Sequence, residues 1–518
     1  MAIRHKVVRL ESCFADGVTA TRSVIEISLS PGIPTFDITG LCDSSIRESK
    51  GRIISAIRSL GCMIPKGHIT VSISPAYMHK SGSGFDLPIA LGILFLAEVV
   101  PYSDCIRVYA QGELSLSGDV RGTPQASLRL TEAAKDPADI TFVPEEETDS
   151  AACSGISCMT VRSLYEVCDI LNNFSYSSEV FEFRKPENRS KRPIHTLSEL
   201  KGQQKAKEAL VIACAGMHSL LMLGSPGSGK TLAAEIIEGL MPPLDDIEAR
   251  QCMSLMESVQ TDLDGYKPGE RPFRRIYSNC TPTKLNGRSG GSVPGELALA
   301  NNGILFADEI TDFDPKVIEE LKVPLEEHVV RIRKDGKVRE VPASFLFVAA
   351  GNPCRCGLYY EKGSKCRCTP SLRRRYLNRL SGGFLDRIDL FTEMRQVSTP
   401  ELREISGRSR TGDDREQKEA AERIRRAWKM QSDRYCWTEG VNKTFNGTCE
   451  RTDRELFRFS DEVADFAADA AVKTELSARG FKKLMRVART IADMEGSETV
   501  ETVHVRQALM YKVRDHEN

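Results

Sequence analysis

The run Gly224, Ser225, Pro226, Gly227, Ser228, Gly229, Lys230 and Thr231 constrains this chain more than any other segment. It follows the apolar stretch Leu220 to Leu223 and precedes the helix-forming residues Leu232 to Leu240. That order predicts strand, glycine-rich loop and helix, with the residue spacing of a phosphate loop intact. Glycines let backbone N–H groups turn inward around phosphate oxygens, at the positive end of the next helix. Lys230 is placed to reach the β- and γ-phosphates of ATP, and Thr231 to hold Mg²⁺. A plain glycine turn before a helix is the alternative, and the correct flanks argue against it.

The 518 residues suggest about three domains. Hydrophobic content of 41% and charged content of 28% support packed cores without any appeal to disorder. Net charge is −1, so a nucleic-acid site has to be a local patch. The apolar run 87–101 is broken by Glu98 and is too short to span a bilayer. With no signal pattern at residues 1–6, the expectation is a cytoplasmic protein that makes no use of a membrane. Most of the 16 cysteines are scattered singly and read as reduced thiols.

Composition divides the chain into 1–172, a polar linker at 173–193, a nucleotide core at 194–393 and a helical segment at 394–518. The first segment reads as α/β, with strands at Val24–Ser30, Phe36–Thr39, His68–Ile73 and Ile140–Val143. Helices are expected at Ser45–Leu60 and from Asp86 through Ala97. The last segment predicts helices at Arg415–Ser432, Thr452–Thr474, Ser477–Met494 and Thr502–Lys512.

The apolar strand Gly303–Ala307 runs into Asp308 and Glu309. In a triphosphate site Asp308 would hold Mg²⁺, and Glu309 would polarise the attacking water. Asn352 ends the next strand, Ser344–Ala350, where a polar side chain can touch the γ-phosphate; a turn cap is its plain alternative. Arg387, in Phe384–Leu390, is positioned as an arginine finger for a neighbouring subunit's nucleotide, with Arg379 as rival and a structural Arg–Asp pair as the alternative. Arg479 opens a helix of the last segment and would sense the γ-phosphate from there, unless it is an ordinary surface arginine.

Together these elements resemble the AAA+ superfamily: a parallel-sheet phosphate-loop core with a helical lid. Arg271–Arg274, Pro294–Glu309, Asn352–Gly357 and Leu476–Gly480 are similar to the magnesium-chelatase-like AAA+ family, in its ComM/YifB branch. Gly40–Ser49, Gly84–Leu94 and Gly112–Gly118 resemble the Lon-protease-like N-terminal domain of that branch. The resemblance covers nearly the whole chain. It implies a homo-oligomeric ring, expected to be a hexamer, working as an ATP-driven motor on single-stranded, duplex or branched DNA. ComM members of the family promote branch migration when transforming DNA is integrated by homologous recombination. Two positions depart from the pattern. Arg275, Ile276, Tyr277 and Ser278 stand where the family carries a Pro-His-His-Thr stretch, and Ala307 stands where it more often has Leu.

A Lon-type peptidase needs a serine nucleophile and a lysine that activates it. Ser81 and Ser83 lie near the nucleophile position, but that position aligns with Gly84, Phe85 or Asp86, and the lysine position reads Ser127. No lysine occurs between Lys80 and Lys135, so the first domain is expected to be non-catalytic and used for assembly or DNA contact.

Cys354, Cys356, Cys366 and Cys368 form two closely spaced pairs that can enclose a tetrahedral Zn²⁺, with reduced thiols or a redox pair as the alternative. Around them, Arg373, Arg374 and Arg375 with Tyr359, Tyr360 and Tyr376 make a basic, aromatic segment suited to phosphates and unpaired bases. Asp335 and Gly336 predict a hairpin over Val329–Val341, with Val330 and Ile332 on one face and Arg331 and Arg333 on the other. By the resemblance this hairpin projects into the pore, where Arg333, Lys334 and Lys337 would touch DNA. Solvated basic faces are the plain alternative for both segments. The competing functions are a magnesium-chelatase ATPase subunit that drives Mg²⁺ into a porphyrin, an ATP-dependent protein-remodelling factor, and a scaffold that uses ATP as a switch.

Overall fold

The computed structural model describes residues 6–16, 19–41, 43–78, 80, 82–173, 195–257, 270–287, 293–334, 337–361, 366–397, 415–437 and 443–512. Most of the expected linker therefore lies outside the described residues. The chain forms two compact units.

The first unit is built on a seven-stranded mixed sheet. Its strands are β1 (Lys6–Asp16), β2 (Thr19–Ser30), β3 (Thr35–Thr39), β4 (His68–Ile73), β5 (Val108–Ala110), β8 (Ile140–Pro144) and β9 (Met159–Val161), in the order β3-β4-β2-β1-β5-β8-β9. A two-stranded ribbon of β6 (Glu113–Leu114) and β7 (Val120–Arg121) stands apart. The helix Asp86–Leu96 is buried on every side, which explains its unbroken apolar sequence. The helix Ser44–Ser59 begins at Asp43, whose carboxylate accepts the Ile46 N–H. The long β1 falls in the stretch after residues 1–6, whose alternation reads as strand-like although it fixes no bounds. It alternates with Val8 and Leu10 buried, and pairs with β2 along its whole length.

Around the position where a peptidase nucleophile would stand, the neighbouring polar side chains are engaged with acids and carbonyls. Asp86 is held by Arg52 at 2.7 Å, and burial pushes its carboxyl up to about 6. Ser83 donates to Glu113, and Ser127 donates to Glu257 at 2.7 Å. The Lys80 ammonium is buried against the carbonyls of Pro75 and Met78. The cation that approaches Gly84 is Arg129, so close that a Cβ there would meet its Nη1 at 2.6 Å. A guanidinium stays protonated and cannot activate a nucleophile. Ser81 lies outside the described residues.

The second unit has a five-stranded sheet in which every neighbouring pair is parallel. It contains β10 (Leu220–Gly224), β11 (Phe273–Ile276), β12 (Ile304–Ala307), β15 (Leu346–Gly351) and β16 (Leu390–Met394), in the order β11-β12-β15-β10-β16. The inner strands are buried throughout, as parallel strands covered on both faces must be. A hairpin of β13 (Val329–Lys334) and β14 (Lys337–Pro342) is closed by the pair Lys334 and Lys337.

The helical lid packs on the helix Gln204–Gly216, and both share one hydrophobic core with the sheet. Trp428 donates its indole N–H to the Cys214 carbonyl at 3.0 Å, and Gln431 donates to the Ala215 carbonyl at 2.8 Å. The helix expected over Thr452–Thr474 is broken into Arg454–Phe457 and Asp461–Lys473. Arg458 adopts a left-handed conformation at φ 50°, and Ser460 caps the new helix by accepting the Val463 N–H. The last helix ends at Leu509, short of the expected Lys512.

Asp389 fastens the lid to the sheet. Its carboxylate faces His218 at 3.4 Å and Lys483 at 2.9 Å, and it accepts the Ser219 N–H at 3.2 Å. Burial opposes its charge, yet Lys483 and His218 hold its carboxyl well below the usual range. Removing one member of a buried pair strands the other. Replacing Asp389 with Asn should therefore lower unfolding stability by about 3–5 kcal/mol in urea titration. A loss below about 1 kcal/mol would show that the network does not hold the lid.

Candidate nucleotide site

The phosphate loop sits between β10 and the helix Lys230–Leu240. Gly227 and Gly229 take left-handed φ values of 75° and 88°. At Gly224 a Cβ would lie 2.5 Å from the Met394 carbonyl, so no larger residue fits. Lys230 donates to the carbonyls of Gly224 at 2.7 Å and Ser225 at 3.0 Å, and faces Asn352 Oδ1 at 3.4 Å. Burial lowers its pKa, against the pull of Asp308 and Glu309. The Ser228 hydroxyl is buried without a hydrogen-bond partner. A polar atom stranded inside such a loop fits an absent polar ligand, and phosphate oxygens would satisfy it. Thr231 is half-buried on the first turn of the helix.

Asp308 and Glu309 follow β12. Glu309 is exposed and holds a left-handed conformation at φ 58°, ψ 43°. Such strain in a non-glycine residue persists only where its surroundings enforce it, and it collects at reacting centres. Asp308 is paired with Arg275. That guanidinium stacks over the rings of Tyr277 at 5.0 Å and Phe306 at 5.4 Å. The sequence reading passed over Arg275, although it opens the stretch that departs from the family pattern. If Mg²⁺ occupies Asp308, it meets a carboxylate that already holds a cation.

Lys230, Asn352, Asp308 and Glu309 are thus brought to one end of the sheet. Arg387 and Arg479 converge elsewhere, on Glu326, at 2.6 Å and 3.0 Å. Arg387 also donates to the carbonyls of Lys322 at 3.0 Å and Gly383 at 2.6 Å. Both arginines line a cavity of about 380 Å³ with Lys482, Lys483 and Arg486, and no residue of the phosphate loop lines it. Glu326, the carboxylate that gathers the two, was also missed from sequence.

The rival Arg379 is turned toward the turn after Glu309. It donates to the Thr311 carbonyl at 3.3 Å and faces Asp312 at 3.4 Å, while Tyr376 bonds the Thr311 hydroxyl at 2.8 Å. These contacts anchor the helix Pro370–Leu377, none of whose residues is buried. Arg373 stacks on Tyr359 at 4.1 Å, and Arg374 and Arg375 are exposed. In the hairpin, Val330 and Ile332 are buried and Arg331 is exposed, paired with Glu327 and Glu340. The side chains of Arg333, Lys334 and Lys337 lie outside the described residues.

Cys354, Cys356, Cys366 and Cys368 form one cluster, with all sulfurs within 4.8 Å of one another. Burial pushes the Cys354 thiol up to about 12. Burial works against the Cys356 thiolate as well, but hydrogen bonds from the Leu358 N–H and the neighbouring thiols bring it down to about 6. None of these four cysteines is in a disulfide.

Three family models match along the chain. They are subunit ChlI of Mg-chelatase over residues 25–147, magnesium chelatase subunit ChlI over 196–402, and the ChlI C-terminal region over 414–512. Competence protein ComM of Haemophilus influenzae is 34% identical over 96% of this chain and 95% of its own length. The uncharacterized protein YifB of Escherichia coli is 32% identical over 96% of both. The chain belongs to the ComM/YifB family of magnesium-chelatase-like AAA+ ATPases. A ChlI subunit from Mesostigma viride is more distant, at 23% identity over 60% of this chain. ATP and Mg²⁺ are the ligands of this family's phosphate-loop site. Among the described residues no helix is long and apolar enough to cross a membrane.

If Asp308 takes Mg²⁺, the Arg275 pair would compete with it, and the competition can be measured. Replacing Arg275 with Gln should lower the Mg²⁺ concentration needed for half-maximal binding of a fluorescent ATP analogue by a factor of about five, equivalent to ~1 kcal/mol. An unchanged Mg²⁺ requirement would mean that the pair does not compete with the metal.

Proposed function

We propose that this chain is a cytoplasmic, ring-forming ATPase that moves on DNA and drives branch migration during homologous recombination. The observation that carries this reading is the anchoring of the exposed basic helix. Arg373, Arg374 and Arg375 stand on a helix that Tyr376 and Arg379 fix to Thr311 and Asp312, immediately beyond Glu309. Phosphates bound by that helix would bear on the turn holding the water-activating carboxylate. Arg333, Lys334 and Lys337 on the hairpin would add contacts from the pore of a hexamer. Contacts of this kind grip the backbone and read structure rather than sequence.

Within the site, Asp308 and Thr231 would hold Mg²⁺, with Asp308 first releasing Arg275; Lys230 and Asn352 would meet the γ-phosphate, and Glu309 would orient the attacking water. Mg²⁺ supplies charge neutralisation at the phosphates. Arg387 and Arg479, gathered on Glu326 around a basic cavity, would meet the nucleotide of the neighbouring subunit. The Haemophilus influenzae relative is named a competence protein, which supports this reading.

The test is steady-state ATP hydrolysis with and without single-stranded, duplex and four-way-junction DNA. DNA should stimulate turnover, and a labelled junction should be resolved only when ATP is hydrolysed. Replacing Lys230 with Ala should abolish nucleotide binding. Replacing Glu309 with Gln should keep binding and cut turnover roughly a hundredfold or more. Turnover indifferent to all three DNAs would overturn the motor and leave a protein client or a chelatase reaction.

A further inference from the structure

The cysteine cluster has the dimensions of a single tetrahedral metal site. Cys354 Sγ lies 3.4 Å from Cys356 Sγ and 3.7 Å from Cys366 Sγ, and Cys356 lies 3.5 Å from Cys366. Four sulfurs each about 2.3 Å from one ion stand about 3.8 Å apart along the edges of the tetrahedron. All four sulfurs fall within 4.8 Å of one another, so little movement closes the site. An all-thiolate tetrahedral set selects a soft-tolerant ion of the zinc class over Mg²⁺ or Ca²⁺.

The segment that carries these sulfurs also forms a wall of the phosphate loop. Gly357, at φ 77°, packs so closely on Pro226 that a Cβ there would meet its Cδ at 2.6 Å. The Ser225 hydroxyl donates to Glu361, between the two cysteine pairs. Glu361 also accepts the Gln396 N–H at 2.9 Å, and the Gln396 side chain reaches the Pro226 carbonyl at 3.4 Å. The loop starts beside Asn352, which faces Lys230, and ends at the helix that Arg379 and Tyr376 dock beyond Glu309. A metal knot here would hold three parts of the nucleotide site from one side.

We propose that Cys354, Cys356, Cys366 and Cys368 bind one zinc-class ion as thiolates, and that the metal-closed loop positions Ser225 and Pro226 for phosphate binding through Glu361 and Gly357. Binding releases the thiol protons to solvent and involves no change of oxidation state. Glu361 acts as a positioning residue. The inference rests on the nucleotide site and is independent of the DNA reading.

The test uses the full chain without DNA. Elemental analysis of protein purified without added metal should find about one zinc per chain. Releasing it with a mercurial reagent and a chelator, then restoring the thiols, should weaken binding of a fluorescent ADP analogue about tenfold, and added Zn²⁺ should restore it. ADP binding in chelator-free, Mg²⁺-free buffer keeps this readout separate from turnover. Replacing Cys354 and Cys366 with Ser should remove the metal. Replacing Glu361 with Gln should keep the metal yet weaken ADP, an outcome that does not depend on the cysteine variant folding. Absence of stoichiometric metal, iron in place of zinc, or a disulfide among the four would overturn the site. Metal removal with unchanged ADP affinity would overturn the coupling.

Discussion

Parallel pairing across one sheet brings the chemistry together. Because β10, β12 and β15 all run the same way, their carboxyl ends lie on one edge. Leu223 of β10 stands opposite Gly351 of β15, and Ala307 of β12 stands opposite Ala349. The phosphate loop, Asp308 with Glu309, and Asn352 each begin where one of these strands ends. In an open parallel sheet that edge is where ligands bind. An antiparallel arrangement of the same strands would send the acids and the loop to opposite ends.

The lid depends on the same sheet through Asp389. Its partners come from two places: His218 and Ser219 just before β10, and Lys483 on the helix Ala478–Glu495. Four residues before Lys483, Arg479 meets Glu326, and two residues before Asp389, Arg387 does the same. A buried pair therefore sets the position of an exposed one. A second buried knot, Asp493 between Arg434 and Arg489, orders the lid helices among themselves. Packing of Trp428 against Lys443 and Arg271 closes the same core.

What the sequence revealed follows from how local each signal is. The phosphate loop is legible because strand, glycines and helix are contiguous, and every requirement of the chemistry falls within a few residues. Asp308 and Glu309 are legible because a buried strand that ends in two acids has few other uses. Arg275 is different: its partner is fixed by register. Arg275 stands opposite Phe306, so Asp308, two residues on and just beyond the end of β12, is its diagonal neighbour. Glu326 is further still from legibility, since its two arginines come from segments remote in the chain. The helix break at Arg458 was written in the sequence, because Ser460 followed by Asp461 and Glu462 is a helix start. Continuing apolar periodicity hid it. β1 was legible only as strand-like alternation without bounds; its charged residues Arg9 and Glu11 pair with Glu26 of β2 and with Arg107 just before β5.

Three irregularities meet at the nucleotide edge. The Ser228 hydroxyl and the Arg275 Nε are buried without hydrogen-bond partners, and Glu309 is held in a strained backbone conformation. Native interiors satisfy nearly all such groups, so a cluster of exceptions has to be supported by the surrounding packing. Here the support is visible: Phe306 and Tyr277 hold the Arg275 guanidinium flat, and Gly224 leaves room for Ser228 beneath the loop. Lys230 meanwhile rests on carbonyls of its own loop. A cation resting on neutral carbonyls and a stranded hydroxyl both gain when phosphate oxygens arrive, because charge-assisted hydrogen bonds are roughly twice as strong as neutral ones. If Asp308 takes a metal, Arg275 would pull the other way, because the carboxylate would first have to release it. The site would then combine groups that favour the triphosphate with one that resists the accompanying ion, and their balance would set how strongly nucleotide binding depends on Mg²⁺.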